Sequence, residues 1–273
     1  MKQASIRFLF VLLQLCFVSV TYGQNKTVKI VTFDFCPWQC IRKSTSKDPG
    51  IAIEVAKIIF ESEGYKIDFV EAPYARAIKG VEDGEYDLLL NLNALTSSKV
   101  ALSAEPSAYL EMNFYTSKNE KWTYKGVSSL KDIKVVSVRG YNYSPLSVAY
   151  QNYLMENEKS GRVVIVSGDN ASERALQMVL NKRVTTFNED ASVFEYFVFK
   201  NHLSKAFKMV GTLGGGPLYV GFSKKSNKVA VLKEVFDQGI RKLRKSGKLA
   251  EIVSRYGVSN RIGERKTIKS KWD

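Results

Sequence analysis

Hydrophobic and polar positions follow two periods along the chain, and the change from one period to the other predicts its elements. Residues 28–35 (VKIVTFDF) alternate and are rich in β-forming side chains, which predicts a first strand. Ile51, Val55 and Ile59 then recur at helical spacing, and 66–70 is again β-rich. Strand, helix and strand at this spacing are typical of a parallel, doubly wound α/β sheet.

The stretch 72–99 (APYARAIKGVEDGEYDLLLNLNALTSSK) is the centre of the prediction. A short amphipathic helix beginning near Tyr74 leads to a buried strand at 88–90, and a polar loop follows that ends in a cation. Because open α/β sheets hold ligands beyond the carboxyl ends of their strands, we expect a small-molecule site here. Its aromatic, amide and cationic side chains suit reversible capture of a small polar molecule: Tyr74, Arg76, Asn91, Asn93 and Lys99.

A second α/β unit follows the first. Its predicted strands are 134–139, 163–166 and 184–187, and 110–116 reads as a strand that crosses into the unit. Gly214-Gly215-Gly216-Pro217 predicts a flexible crossover back to the first unit, two amphipathic helices close the fold, and the basic end of the chain has no apolar stripe. The predicted division is a leader over 1–23, lobe one over 24–112 plus 217–260, lobe two over 117–212, and a loose tail over 261–273.

The N-terminus has the pattern of a secretory signal peptide. Lys2 and Arg7 precede an apolar run over 8–20, and Gly23 offers a small residue for cleavage before Gln24. The alternative is a membrane anchor, but this run is shorter than the ~20 residues that a spanning helix needs. We therefore expect an exported protein.

Export changes the interpretation of the cysteines. Removing the leader leaves Cys36 and Cys40 in the motif CPWQC. In an oxidising compartment a close pair favours a disulfide over a metal site, which would need further ligands. Redox-active pairs usually have two intervening residues and this pair has three, so we predict a structural disulfide.

Charge and acid–base chemistry exclude several classes of function. The formal net charge is +14, and removing the leader's two cations leaves 14 − 2 = +12. These charges are spread along the chain, as on a solvated surface, so no nucleic-acid partner is expected. The only histidine, His202, lies in a polar segment, which leaves nucleophilic catalysis and histidine metal sites without support. We predict no catalytic residue, no metal and no cofactor.

Several motifs, in order and at their spacing, resemble one family. They are CPW after the first strand, DPGIAIEVAKIIF, PYARAIKGVEDGEYDLLL, LTSSK, SVRGYN and LRKSGKLAEIVSRYG. Together they resemble bacterial extracellular solute-binding proteins of family three, over about 28–257. The resemblance implies a two-lobed type II periplasmic binding fold, an α/β fold with mixed doubly wound sheets joined by two crossover strands. It also implies delivery of polar amino acids to an ABC transporter.

The resemblance also implies roles for residues of lobe one. Phe35 and Tyr74 fall where family aromatics sandwich the ligand, and Trp38 of the CPW motif is placed at the same site. Lys99 falls where an arginine normally grips the ligand carboxylate. Because lysine offers a point charge rather than a bidentate fork, anionic or otherwise modified small molecules remain open.

In lobe two, Tyr141 and Asn142 fall where smaller residues complete the carboxylate grip. Asp190 falls where an acid takes the α-ammonium, and ordinary helix capping is the alternative for this residue. We therefore predict a monomeric, periplasmic binding protein that is not an enzyme and closes on a small polar ligand. Its further partners would be the membrane subunits of an ABC transporter. The alternatives are a dehydratase-like enzyme using Glu189 or Asp190, and a ligand-binding partner of a membrane sensor.

Overall fold

The computed structural model describes residues 26–40, 48–94, 96–168, 170–264 and 266–269. The predicted signal peptide lies outside these residues. The strands are β1 (Lys26–Thr32), β2 (Tyr65–Glu71), β3 (Leu88–Asn93), β4 (Val100–Leu102), β5 (Ala108–Ser117), β6 (Val135–Val138), β7 (Val163–Val166), β8 (Thr186–Asp190), β9 (Phe207–Ser223) and β10 (Ile268–Lys269). The helices are α1 (Ile51–Ser62), α2 (Tyr74–Asp83), α3 (Val148–Asn157), α4 (Ala171–Leu180), α5 (Ala191–Lys200), α6 (Val229–Lys245) and α7 (Lys248–Arg255), with a 3-10 turn at Val127–Leu130.

The strands form two halves of a mixed sheet that are joined by two long strands. The order is β2-β1-β3-β9-β5-β8-β6-β7, with β4 and β10 also paired to β9. The outer strands are parallel to one another in each half, whereas β9 is antiparallel to β3 and β5. Lobe one is therefore β1–β4 with α1, α2, α6 and α7, and lobe two is β6–β8 with α3, α4 and α5. The predicted two-lobed α/β fold with two crossover strands is confirmed.

Each lobe has a hydrophobic core on both faces of its sheet. In lobe one, α1, α6 and α7 cover one face and α2 the other. In lobe two, α3 covers one face and α4 with α5 the other. Wholly buried residues such as Phe60, Phe236 and Phe187 anchor these layers, and burial of each side chain is worth about 1.5–3 kcal/mol.

The three consecutive glycines lie inside β9, so the crossover predicted there is present but is a paired strand and not a flexible segment. Gly215 pairs with Glu111 of β5. A Cβ on Gly215 would lie 2.2 Å from the Leu110 carbonyl oxygen, closer than any side chain allows. Glycine is therefore required because two crossover strands approach closely at this point.

The prediction of a loose C-terminal tail is wrong for its described residues. The Tyr109 hydroxyl donates to the Lys266 carbonyl at 2.7 Å, and β10 pairs with β9 at Gly214 and Gly215. Arg261 Nη2 lies 2.6 Å from Glu195 Oε1 of α5. The described residues of 261–269 thus contact both crossover strands and lobe two.

Two helices of lobe two begin differently. α3 begins at Val148, where Ser147 Oγ accepts the Tyr150 N–H. Asn170 precedes α4, and its side chain makes no cap hydrogen bond. Within the described part of the chain, no helix is both long and apolar enough to span a bilayer.

Candidate functional site

A cavity of about 190 Å³ lies between the two lobes. It is smaller than the roughly 300–1,000 Å³ of most ligand pockets, which favours a small ligand. Lobe one lines it with the loop after β1. Lobe two lines it with the β6–α3 loop, the first turn of α4 and one side of α5. The lining includes Asp34, Phe35, Cys36, Tyr141, Ala171, Ser172, Glu173, Tyr196 and Phe197.

The lobe-one wall is a tight loop closed by a disulfide. Phe35 and Gln39 form a two-way backbone bridge, with both N···O distances at 2.9 Å. Cys36 and Cys40 are joined by a disulfide, which confirms that prediction. Trp38 lies inside the loop, 1% exposed, and packs in the lobe-one core. The loop therefore presents Phe35 to the cavity and uses Trp38 as its anchor, so the structure does not place Trp38 on the cavity surface.

Phe35 packs in an aromatic cluster with Phe33 and Tyr74. Phe33 stacks on Phe35 with ring centroids 5.9 Å apart, and it lies 4.7 Å from the Tyr74 ring. Burial raises the pKa of the Tyr74 hydroxyl, which hydrogen-bonds to the Thr96 side chain. The sequence prediction missed Phe33, although its position two residues before Phe35 is the signal that both rings share one side of an extended segment.

The lobe-two wall contains a buried carboxylate behind two hydroxyls. Tyr141 Oη lies 3.0 Å from Ser172 Oγ and donates to Glu189 at 3.2–3.3 Å. Glu189 Oε1 also accepts the Asp190 N–H at 2.8 Å. Gly140, at φ +92°, lies in the turn after β6, where the Tyr141 N–H donates to the Val138 carbonyl at 3.2 Å. Tyr141 and Ser172 line the cavity and Glu189 lies directly beneath them.

Burial controls the acid–base properties of this wall. It raises the pKa of Glu189 to about 7, with the hydrogen bond from Ser172 opposing the rise. Burial also raises the pKa of Asp190 to about 6, and the pKa of the enclosed Tyr141 hydroxyl rises well above its usual value. At neutral pH a sizeable share of the Glu189 carboxyl groups is therefore protonated.

Asp190 is occupied by the backbone. Its Oδ1 accepts the N–H groups of Ser192 and Val193 at the start of α5, and its Oδ2 accepts that of Glu111 in β5. These three contacts cap a helix and tie lobe two to a crossover strand. Capping is thus the observed role of Asp190, and ammonium binding by this residue stays a prediction.

Lys99 is not brought to the cavity. Val100 pairs with Ser223 of β9, whereas Asn93 pairs with Leu218 of the same strand. Five residues of strand span about 16 Å, so Lys99 lies at the opposite end of β3 from Asn93. Its side chain is 76% exposed, with Nζ 4.0 Å from a carboxylate oxygen of Glu82 in α2. The polar loop after β3 folds back along α2 instead of staying at the strand end.

The remaining candidates have local structural contacts. Asn91 is buried at φ +58° in an irregular part of β3, where its Oδ1 accepts the Ser107 hydroxyl at 3.0 Å. Asn142 is exposed and accepts the Ser144 N–H. Arg76 is exposed on α2, and a main-chain group of Asn93 hydrogen-bonds to Tyr74. Ligand contacts by these four residues stay predictions.

The sequence of the chain matches the family model of bacterial extracellular solute-binding proteins, family 3, over residues 29–259. The chain belongs to this family. No curated protein matches the chain in sequence. Family membership agrees with a site between two lobes, because both walls described above fall inside the matched range.

Solved structures share the fold of this family 3 protein. An ancestral arginine-binding protein bound to arginine is 22% identical, with a TM-score of 0.60 over 84% of this chain and 97% of its own. A probable amino-acid ABC transporter extracellular-binding protein from Bacillus subtilis is 17% identical, with a TM-score of 0.61 over 85% and 97%. A histidine kinase sensor domain with similarity to periplasmic binding proteins is also 17% identical, with a TM-score of 0.61 over 86% and 97%. At these identities the likeness concerns the fold alone.

Proposed function

We propose that this family 3 protein captures a small polar molecule in the cavity between its lobes and delivers it to the membrane subunits of an ABC transporter. The observation that carries the proposal is that both lobes line one cavity. Phe35 stands on the lobe-one side, and Tyr141 and Ser172 stand on the lobe-two side. A ligand that touches both walls favours the closed arrangement of the lobes, so binding shifts the population toward closure.

The two crossover strands support hinge closure as the mechanism. β5 and β9 are the long strands that join the sheet halves; β10 pairs with β9, and Tyr109 of β5 donates to the Lys266 carbonyl. Arg261 contacts both Glu195 of α5 and Glu111 of β5. Movement of one lobe against the other therefore acts on a few strand residues and one ion-pair cluster, while the cores of the lobes stay intact.

Location in the periplasm is part of the proposal. The N-terminal signal pattern predicts export, and the Cys36–Cys40 disulfide fits an oxidising compartment. The family is one of extracellular proteins. A monomer is the expected form, since one chain provides both walls of the cavity.

A sensor function is the second candidate, and the similarity to a histidine kinase sensor domain favours it. Uptake separates the two candidates. Cells that produce the protein should accumulate radiolabelled ligand faster than cells lacking it if it serves transport. Unchanged uptake together with a ligand-dependent transcriptional response would favour sensing.

The first experiment is a thermal-shift screen of the mature chain from Gln24 against amino acids, amines and small carboxylates. A ligand at ~100 times its dissociation constant should add about 2.7 kcal/mol to the stability of the folded state. Small-angle X-ray scattering should show a smaller radius of gyration with that ligand, and the ligand should be recovered unchanged. The absence of any shift across the screen would contradict the proposal, and turnover of the bound compound would favour an enzyme.

A further inference from the structure

The strongest unexplained feature of the cavity is the carboxylate of Glu189. It is 1% exposed and lies beneath Tyr141 and Ser172. Among the described residues, no lysine or arginine lies within ion-pair distance of it. A buried carboxylate without a cation is costly when ionised, because neither water nor a counter-charge compensates it.

The described lining of the cavity provides no cation to hold an anionic ligand. It includes the acid Asp34 and contains no lysine or arginine. Lys99, the cation expected to hold a carboxylate, lies at the far end of β3.

The aromatic lining fits the same ligand chemistry. Phe35, Tyr141, Tyr196 and Phe197 border the cavity, and faces of aromatic rings attract organic cations at close range. A protonated amine could therefore contact rings on its apolar side and the hydroxyls of Tyr141 and Ser172 on its polar side. Glu189 would supply the opposite charge through those hydroxyls.

We propose that the ligand is a small organic cation and that Glu189, rather than Asp190, is the carboxylate that recognises its ammonium group. This inference rests on the proposed function, because it names the ligand class of the same cavity. Asp190 is committed to three backbone N–H groups, whereas Glu189 accepts from the side-chain hydroxyls of Tyr141 and Ser172 in the cavity wall. No ligand carboxylate is required for binding.

Proton release is the signature of this arrangement. Burial raises the pKa of Glu189 to about 7, so near pH 6 the empty site holds mostly the protonated acid. The groups that face Glu189 are Asp190, Tyr141 and Tyr143, and Arg261 acts on Asp190. An arriving ammonium favours the ionised carboxylate, and the carboxyl proton leaves to solvent. At pH 6 binding should therefore release up to about one proton per ligand.

The test uses five probes and isothermal titration calorimetry on the full mature chain. Putrescine, agmatine and L-arginine are the cations, succinate is the dianion, and L-glutamine is the zwitterion. Titration at pH 6 in two buffers with different ionisation heats gives the protons released. We expect at least one cation to bind with proton release. Glu189→Gln should weaken that cation at least tenfold and abolish the release, whereas Glu158→Gln, which changes an exposed acid on lobe two, should alter neither.

Each contrary outcome has a distinct meaning. Binding of succinate or glutamine alone would overturn the cation assignment and leave solute binding in place. If Glu189→Gln binds a cation with unchanged affinity and unchanged proton release, Glu189 does not take part in binding. Absence of binding by all three cations would also overturn the inference, and absence of binding by all five probes would contradict the proposed function as well. If Glu189→Gln fails to fold, Ser172→Ala tests the same proposal, because it removes one of the two hydroxyls that lie between Glu189 and the ligand.

Discussion

Replacing Glu189 by glutamine should flatten part of the pH dependence of unfolding. Glutamine keeps the Oε1 acceptor for the Asp190 N–H and the volume of the side chain, but it cannot ionise. In the wild type, burial raises the pKa of Glu189 from 4.5 to about 7, which corresponds to roughly 3 kcal/mol. The glutamine variant therefore removes one titrating group while the packing stays nearly constant.

The sign follows from proton binding. Because the folded chain holds the proton more tightly than the unfolded chain, the stability contributed by protonated Glu189 is fully present below pH 4.5. It is lost as pH rises through about 7. Between pH 5 and pH 8 the wild type should lose about 2.5 kcal/mol that the variant keeps. Asp190, whose pKa burial raises to about 6, titrates in both proteins, so the comparison reports Glu189 together with its coupling to Asp190.

Urea unfolding at pH 5 and pH 8, followed by circular dichroism and tryptophan fluorescence, measures this difference. Glu158→Gln is the matched control, since Glu158 is an exposed acid in the same lobe and should shift the difference by less than about 0.5 kcal/mol. Parallel curves for the wild type and Glu189→Gln would refute the reasoning. They would mean that the carboxylate of Glu189 is not penalised by its burial.

Three further predictions concern the frame of the site. Arg261→Ala should destabilise the fold by roughly 2 kcal/mol, because it breaks a half-buried ion pair between the C-terminal segment and lobe two. The control, Arg139→Ala, should lower the free energy of unfolding by less than about 1 kcal/mol. Equal losses of the two variants in urea unfolding would contradict this prediction. Cys36→Ser with Cys40→Ser should cost about 2 kcal/mol from loop closure, and a thermal midpoint in the double variant equal to that of the oxidised wild type would argue against it. Lys99→Ala should keep the ligand affinity within twofold of the wild-type value. A tenfold loss of affinity in calorimetry would mean that Lys99 contacts the ligand.

The fold followed closely from local pattern. Period-2 and period-3.6 runs predicted β1, α1, β2, α2 and β3 in their observed order, because burial of one helix face or both strand faces leaves a direct imprint on sequence. The disulfide was also predictable, since two cysteines in an exported chain have few alternatives. These features depend on neighbours in sequence.

The features that were missed depend on distant residues. The polar sequence of the loop after β3 does not predict where the loop runs. In the structure it folds back, and Lys224 Nζ contacts the Ser98 carbonyl at 2.8 Å. The tail is held by Tyr109, more than 150 residues earlier. By contrast, the separate roles of Glu189 and Asp190 had a local signal. Alternation in β8 sets Glu189 on the face of Phe187 under α4, and Asp190 on the other face.

The central claim is that both lobes hold one ligand. The most direct test is titration calorimetry of the ligand from the screen against Phe35→Ala and Tyr141→Ala, which remove one ring from each wall. Phe199→Ala, which removes a half-exposed ring of α5 outside the cavity lining, is the control. Both wall variants should lose at least tenfold in affinity, about 1.4 kcal/mol, while the control keeps the wild-type value. Wild-type affinity in either wall variant would contradict the claim.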